Sequence, residues 1–182
     1  MNSLSKTHCN DSREVSRKFH HDDDCCEPSR KFHKEGKVAL KCGTSGSATI
    51  VAGSLDQSVA SLSVNTSCFN NPCTKLEFTS NVTFNGGGGA NFTLSFRIFK
   101  ICDNQIREMP VGPAFTFNPP TGAAATDAFT FFVCDCDSCF NDFCTFTVVV
   151  TPTGGTGASG TATITNATLA AIIVENTSKC GC

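Results

Sequence analysis

Thirteen cysteines in 182 residues set the chemistry available to this chain. Ser67-Cys68-Phe69-Asn70-Asn71-Pro72-Cys73-Thr74 returns as Ser138-Cys139-Phe140-Asn141-Asp142-Phe143-Cys144-Thr145. Each copy precedes a run of alternating residues, so each reads as a loop between strands. Two such loops at one end of a β-sandwich can join Cys68, Cys73, Cys139 and Cys144 as two disulfides. Four cysteines allow three pairings, and spacing selects none of them. The same four thiolates suit a tetrahedral zinc site, for which four residues between paired ligands is a wide spacing. In Cys134-Asp135-Cys136-Asp137-Ser138-Cys139, Cys134 and Cys136 fall on one face of a strand. That placement suits two neighbouring bridges or two ligands of one ion. Disulfides are the expectation, with Cys68, Cys73, Cys134, Cys136, Cys139 and Cys144 as the candidates within the domain.

The other cysteines point outward. Cys42 and Cys102 are expected at strand ends, and Cys180 and Cys182 flank Gly181 at the end of the sequence. Cys9, Cys25 and Cys26 stand in a polar first segment, where adjacent cysteines do not readily bridge each other. An odd total leaves at least one thiol free, bound to something else, or paired with another subunit. Cys9, Cys25, Cys26, Cys42, Cys102, Cys180 and Cys182 are the candidates for bonds between subunits.

Catalytic signatures are missing from the sequence. All four His lie before residue 43, so the rest of the chain offers no Cys-His or Ser-His pair. Nucleophile-elbow and phosphate-loop motifs do not occur, and Gly86 to Gly89 lacks the Lys-Ser/Thr that a phosphate loop needs. Asp135, Asp137 and Asp142 read as solvating the Cys-rich loop. His20-His21-Asp22-Asp23-Asp24-Cys25-Cys26 could hold a soft metal, but a hydrated stretch is the simpler reading. The expectation is a protein that is not an enzyme, with no cofactor and no resident metal.

The elements that carry these residues divide by charge. Residues 1–42 hold 9 of the 14 Lys and Arg and 7 of the 16 Asp and Glu. Residues 1–36 have too few apolar side chains for a core and read as a flexible connector arm. Ser16-Arg17-Lys18-Phe19-His20 is repeated there as Ser29-Arg30-Lys31-Phe32-His33. Residues 37–182 read as one β-sandwich domain. Leu76, Phe78, Val82 and Phe84 alternate with polar residues, as do Phe92, Leu94, Phe96 and Ile98. Period 2 marks half-buried strands. Further strands are expected at 47–52, 58–64, 113–118, 127–136, 143–151 and 161–174. The alternation slips at Phe99 and Ile101, which predicts a bulge near Ile98. Eight or nine strands at this spacing predict an antiparallel jelly-roll-like sandwich, with an immunoglobulin-like sandwich as the alternative. A net charge of −2 argues against a nucleic-acid partner, no apolar run is long enough to span a membrane, and no Sec signal peptide is expected.

Phe131-Phe132-Val133-Cys134-Asp135-Cys136-Asp137-Ser138-Cys139 with Phe143-Cys144-Thr145-Phe146-Thr147-Val148 resembles an uncharacterised Cys-rich domain family of clostridial spore-formers. Phe96-Arg97-Ile98-Phe99-Lys100-Ile101-Cys102-Asp103 and Lys41-Cys42-Gly43 resemble it too, and the likeness covers roughly residues 36–175. The architecture is also similar to the endospore appendage (Ena-type) pilins, jelly-roll subunits whose N-terminal connector forms disulfides with other subunits. This resemblance implies that Cys25 and Cys26 match the connector pair and that Cys42 matches one acceptor position. It implies a self-assembling subunit of a disulfide-cross-linked, extracellular or spore-surface fibre. Its partners would be copies of itself, and other appendage or spore-coat proteins. The alternative is a Cys-rich metal-binding or redox module using Cys134, Cys136, Cys139 and Cys144.

Overall fold

Alternating Phe, Val, Leu and Thr fold as strands because a pleated surface buries every second side chain and leaves the rest to water. A computed structural model describes residues 37–85, 92–103, 105–118, 126–136, 143–154 and 158–175. The expected arm, with Cys9, Cys25 and Cys26, lies outside the described residues, as do Cys139, Cys180 and Cys182. Among the described residues there are nine strands and no helix: β1 Val38–Cys42, β2 Gly46–Val51, β3 Gln57–Asn65, β4 Pro72–Asn85, β5 Phe92–Cys102, β6 Met109–Phe117, β7 Thr126–Asp135, β8 Phe143–Gly154 and β9 Thr161–Glu175.

One sheet runs β1-β9-β4-β7, with β2 also pairing β9, and the other runs β3-β8-β5-β6. Every pairing is antiparallel. Only β1 to β2 and β5 to β6 remain within a sheet; the other connections cross between sheets. This order is that of a jelly-roll sandwich. β1 and β2 share one long partner, β9, and the turn between them presses on β3. A Cβ on Gly46 would come 2.2 Å from the carbonyl oxygen of Val59, so a side chain there would force the sheets apart.

The core lies between the two sheets. Phe78, Phe92, Phe96, Phe146 and Val148 are fully or almost fully buried, and Phe131 is buried beside them. Phe129 is half-buried and packs 4.7 Å from Phe96, centroid to centroid. Each such side chain contributes roughly 1.5–3 kcal/mol by leaving water. On the outer faces, threonines pair across strands, as in Thr93 with Thr153 at 2.6 Å and Thr83 with Thr126 at 2.6 Å.

The expected bulge near Ile98 is corrected. β5 keeps one phase from Phe92 to Cys102. The irregularity lies in its partner: Phe96 and Ile98 face Phe115 and Val111, so the extra residues belong to β6. β6 supplies them at Gly112, whose φ of 69° suits a glycine. Keeping phase places Lys100 inside, a position the alternation reserves for an apolar residue.

Candidate functional site

Strand register brings the cysteines to one end. β3 and β7 end there, and β4 and β8 begin there. β5 ends beside them, because Cys102 faces Cys144. β9 also ends there, because Glu175 faces Pro72, and β1 begins there, because Val38 faces Val174. Cys68, Cys73, Cys102, Cys134, Cys136 and Cys144 all sit at this end. Cys42 lies at the far end of β1, exposed, opposite Ala170. The sequences joining strands at the other end carry no cysteine.

The β3–β4 loop is held by the segments where the chain enters and leaves the sandwich. Lys37 Nζ donates to the Cys68 carbonyl at 3.0 Å, and the Asn70 amide donates to Glu175 Oε1 at 3.2 Å. The Glu175 amide donates to the Lys37 carbonyl at 3.1 Å. Phe69 is buried beneath the loop, and Asn71 takes φ 48° to turn the chain into β4.

Two disulfides pin this end, one in each sheet. Cys102 bonds Cys144, joining β5 to β8 on the inward face. Cys73 bonds Cys136, joining the start of β4 to the residue after β7 on the outward face. Cys102 and Cys144 oppose each other directly across an antiparallel pair, and Cys73 and Cys136 lie one step beyond the Thr74–Asp135 pair. Cα separations of 4.0 and 4.1 Å fit the close, non-hydrogen-bonded positions of such a ladder. Their environments differ. Cys102 is 9% exposed and Cys144 7%, whereas Cys73 and Cys136 are both half-buried, with access to solvent.

These bonds correct one expectation and narrow another. Cys102 was expected to reach a second subunit; it is instead buried and bonded within the sandwich. The zinc sets drew on Cys73, Cys136 and Cys144, whose sulfurs are here committed to disulfides. Cys134 does share a face with Cys136, and it carries an exposed free thiol. Cys68 is exposed on the β3–β4 loop. Asp135, expected to solvate a loop, is corrected as well: it is buried, and its Oδ2 accepts from Lys100 Nζ at 2.6 Å. This ion pair crosses from β7 in one sheet to β5 in the other. The signal for it was present, because Lys100 shares its strand face with Phe96, Ile98 and Cys102.

Beside Cys134 the outer face carries Lys75, Glu77 and Phe132. Lys75 Nζ meets Glu77 Oε2 at 3.2 Å and stands 4.9 Å from the Phe132 ring centroid. These residues line an open groove of about 550 Å³ with Phe115, Thr130 and Phe131, where β7 meets β6. Sequence reasoning did not single out Lys75 or Phe132. Among the described residues no cluster of three or more His, Cys, Asp and Glu is arranged to hold a metal ion.

A family model described as "Domain of unknown function (DUF4489)" matches residues 37–174. No curated protein matches the chain. Among solved structures, that of infectious bursal disease virus, Gt strain, is similar with a TM-score of 0.43 and 11% identity, covering 80% of this chain and 38% of that one. The Gx strain structure gives a TM-score of 0.45 and 12% identity, covering 80% of this chain and 33% of that one. The VP2 subviral particle of the same virus gives a TM-score of 0.42 and 12% identity, over 80% and 38%. The chain thus spans less than half the length of the structures it matches.

Proposed function

The chain belongs to the DUF4489 family through residues 37–174, and within that family we propose that this protein is a structural subunit that assembles with copies of itself. The assembly is a disulfide-cross-linked fibre outside the cell, at a cell or spore surface. The segment before Lys37 links one subunit to the next. The reading assigns no catalysis to the sandwich.

The observation that carries it is the gathering of sulfur, the start of β1 and the end of β9 at one end of the sandwich. The chain enters there at Lys37 and its last described residue, Glu175, lies there, with six of the seven described cysteines around them. Cys25 and Cys26 precede this entry by about ten residues, and Cys180 and Cys182 follow Glu175 within seven. Ten residues span at most about 35 Å, enough to cross to a neighbouring subunit. A covalent link also answers the entropy of ordering such a segment, roughly 1–2 kcal/mol per residue, which its polar side chains do not offset. An oxidising location accords with two disulfides in so small a domain.

Native material run on gels with and without reductant, and imaged by electron microscopy, tests the reading. Fibres giving covalent ladders that collapse to 19.2 kDa under reduction are expected. Monomers under both conditions, with no filament in the images, would overturn it.

A further inference from the structure

We propose that Cys73–Cys136 is a thiol–disulfide exchange site whose substrate is a cysteine thiolate on an approaching chain segment, with Cys136 the sulfur attacked and Cys73 the sulfur released.

The two disulfides of the sandwich are unequally placed for such chemistry. Cys102–Cys144 is closed off between the sheets, while Cys73–Cys136 joins two half-buried residues on an outer face. Exchange requires a thiolate to reach a disulfide sulfur, so access decides which bond reacts. Strand order then decides which sulfur is attacked. Displacement at sulfur is collinear: the nucleophile approaches on the side opposite the leaving sulfur. The Cys73–Cys136 bond runs across the strands, from β4 to the end of β7. β7 is an edge strand, so an approach to Cys136 opposite Cys73 comes from beyond the sheet, where no strand among the described residues pairs with β7. The corresponding approach to Cys73 comes over β9, where Val174 is its direct neighbour.

The step balances without any oxidant. The incoming thiolate forms a new S–S bond to Cys136 as the Cys73–Cys136 bond breaks. The bonding pair leaves on Cys73 as its thiolate. One disulfide and one thiolate are consumed, and one of each is produced. A cross-link between two chains can therefore form by isomerising a bond that the sandwich already holds.

The substrate assigned is Cys25 or Cys26 of a second copy. This assignment rests on the assembly reading above; the exchange site itself does not. Residues 1–36 contain three cysteines and join the sandwich at the same end as Cys136.

The full-length chain, without oxygen, is treated with reduced glutathione, quenched with iodoacetamide at intervals, and mapped by peptide mass spectrometry. Glutathione on Cys136 with the alkyl group on Cys73 is expected. It should appear about tenfold or more faster than opening of Cys102–Cys144. Glutathione on Cys73, or equal opening of both bonds, would overturn the site. Cys134→Ser should leave the pattern unchanged, because that thiol takes no part; a changed pattern counts against the assignment. Without glutathione, a mixture of isotope-labelled and unlabelled chains should yield a mixed-label peptide joining Cys25 or Cys26 to Cys136. Glutathione exchange without that peptide leaves the site standing and refutes the second-copy substrate. Fibres linked through other cysteines, with no glutathione on Cys136, would sink the exchange site and leave the assembly reading intact.

Discussion

Lys100 and Asp135 show how a single residue can decide what a strand carries. Their 2.6 Å contact spans the two sheets among buried Phe and Val, between the two disulfides. Breaking such a pair leaves a buried charge without compensation, whereas replacing both members by apolar groups is often neutral. Lys100→Met should therefore destabilise the domain by about 3–5 kcal/mol in urea unfolding, and adding Asp135→Leu should restore most of that loss. A double variant no more stable than the single one would assign the loss to packing instead. At the same scale, Cys102 and Cys144 close a sequence separation of 42. Replacing both by Ala should cost about 4 kcal/mol by the chain-entropy relation, read as a lower unfolding midpoint under non-reducing conditions.

The edge strands β6 and β7 are treated differently by the sequence. β6 carries Pro110 and Pro113 and the turn at Gly112, and each interrupts pairing by a further strand. β7 has neither Pro nor Lys. Cys73 and Cys136 occupy a close ladder position, and the β4–β7 register runs without a shift from there. Cys134, Phe132 and Thr130 therefore turn their backbone N–H and C=O groups away from β4, toward the open edge. Phe132 is 60% exposed on the outer face, so Phe132→Lys should leave folding intact. If subunits associate laterally along β7, that change should lower the association measured by sedimentation; unchanged assembly would place lateral contacts elsewhere. Gly112 fixes how β6 lies on β7: a Cβ there would stand 2.8 Å from Val133 Cγ1, at a φ of 69°. Gly112→Ala should cost about 1–3 kcal/mol for the left-handed backbone alone. It should lower the melting temperature more than Gly53→Ala, since Gly53 has φ 75° with nothing within 4 Å.

At the scale of the molecule the sandwich is polar along its long axis. One end holds the entry at Lys37, the end of β9 and both disulfides, and the sequences that join strands at the other end contain no cysteine. A subunit with its reactive sulfur at one end suits linkage in one direction, which an open chain of copies requires. Changing both Cys25 and Cys26 to Ser should convert assemblies that survive boiling in detergent into ones that separate to monomer on non-reducing gels. Assemblies as resistant as the parent would remove the segment before Lys37 from the linkage.

The sequence by itself determined eight of the nine strands, the antiparallel sandwich and the inward set around Phe78, Phe92 and Phe96, because period 2 records directly which side chains leave water. It also indicated that the two Cys-Phe-Asn segments could lead into strands that begin at one end of the sandwich, as β4 and β8 do. Which sulfurs would bond was decided only by the tertiary structure. Cys73 and Cys144 occupy the same place in the echo, yet Cys73 turns outward on β4 and Cys144 inward on β8. Local sequence is blind to that difference, because the face is set by the register each strand takes against distant partners, Cys136 on one side and Cys102 on the other. The same cause hid the partner of Lys100, since an inward Lys is legible as a misfit but its carboxylate lies across the core on the other sheet.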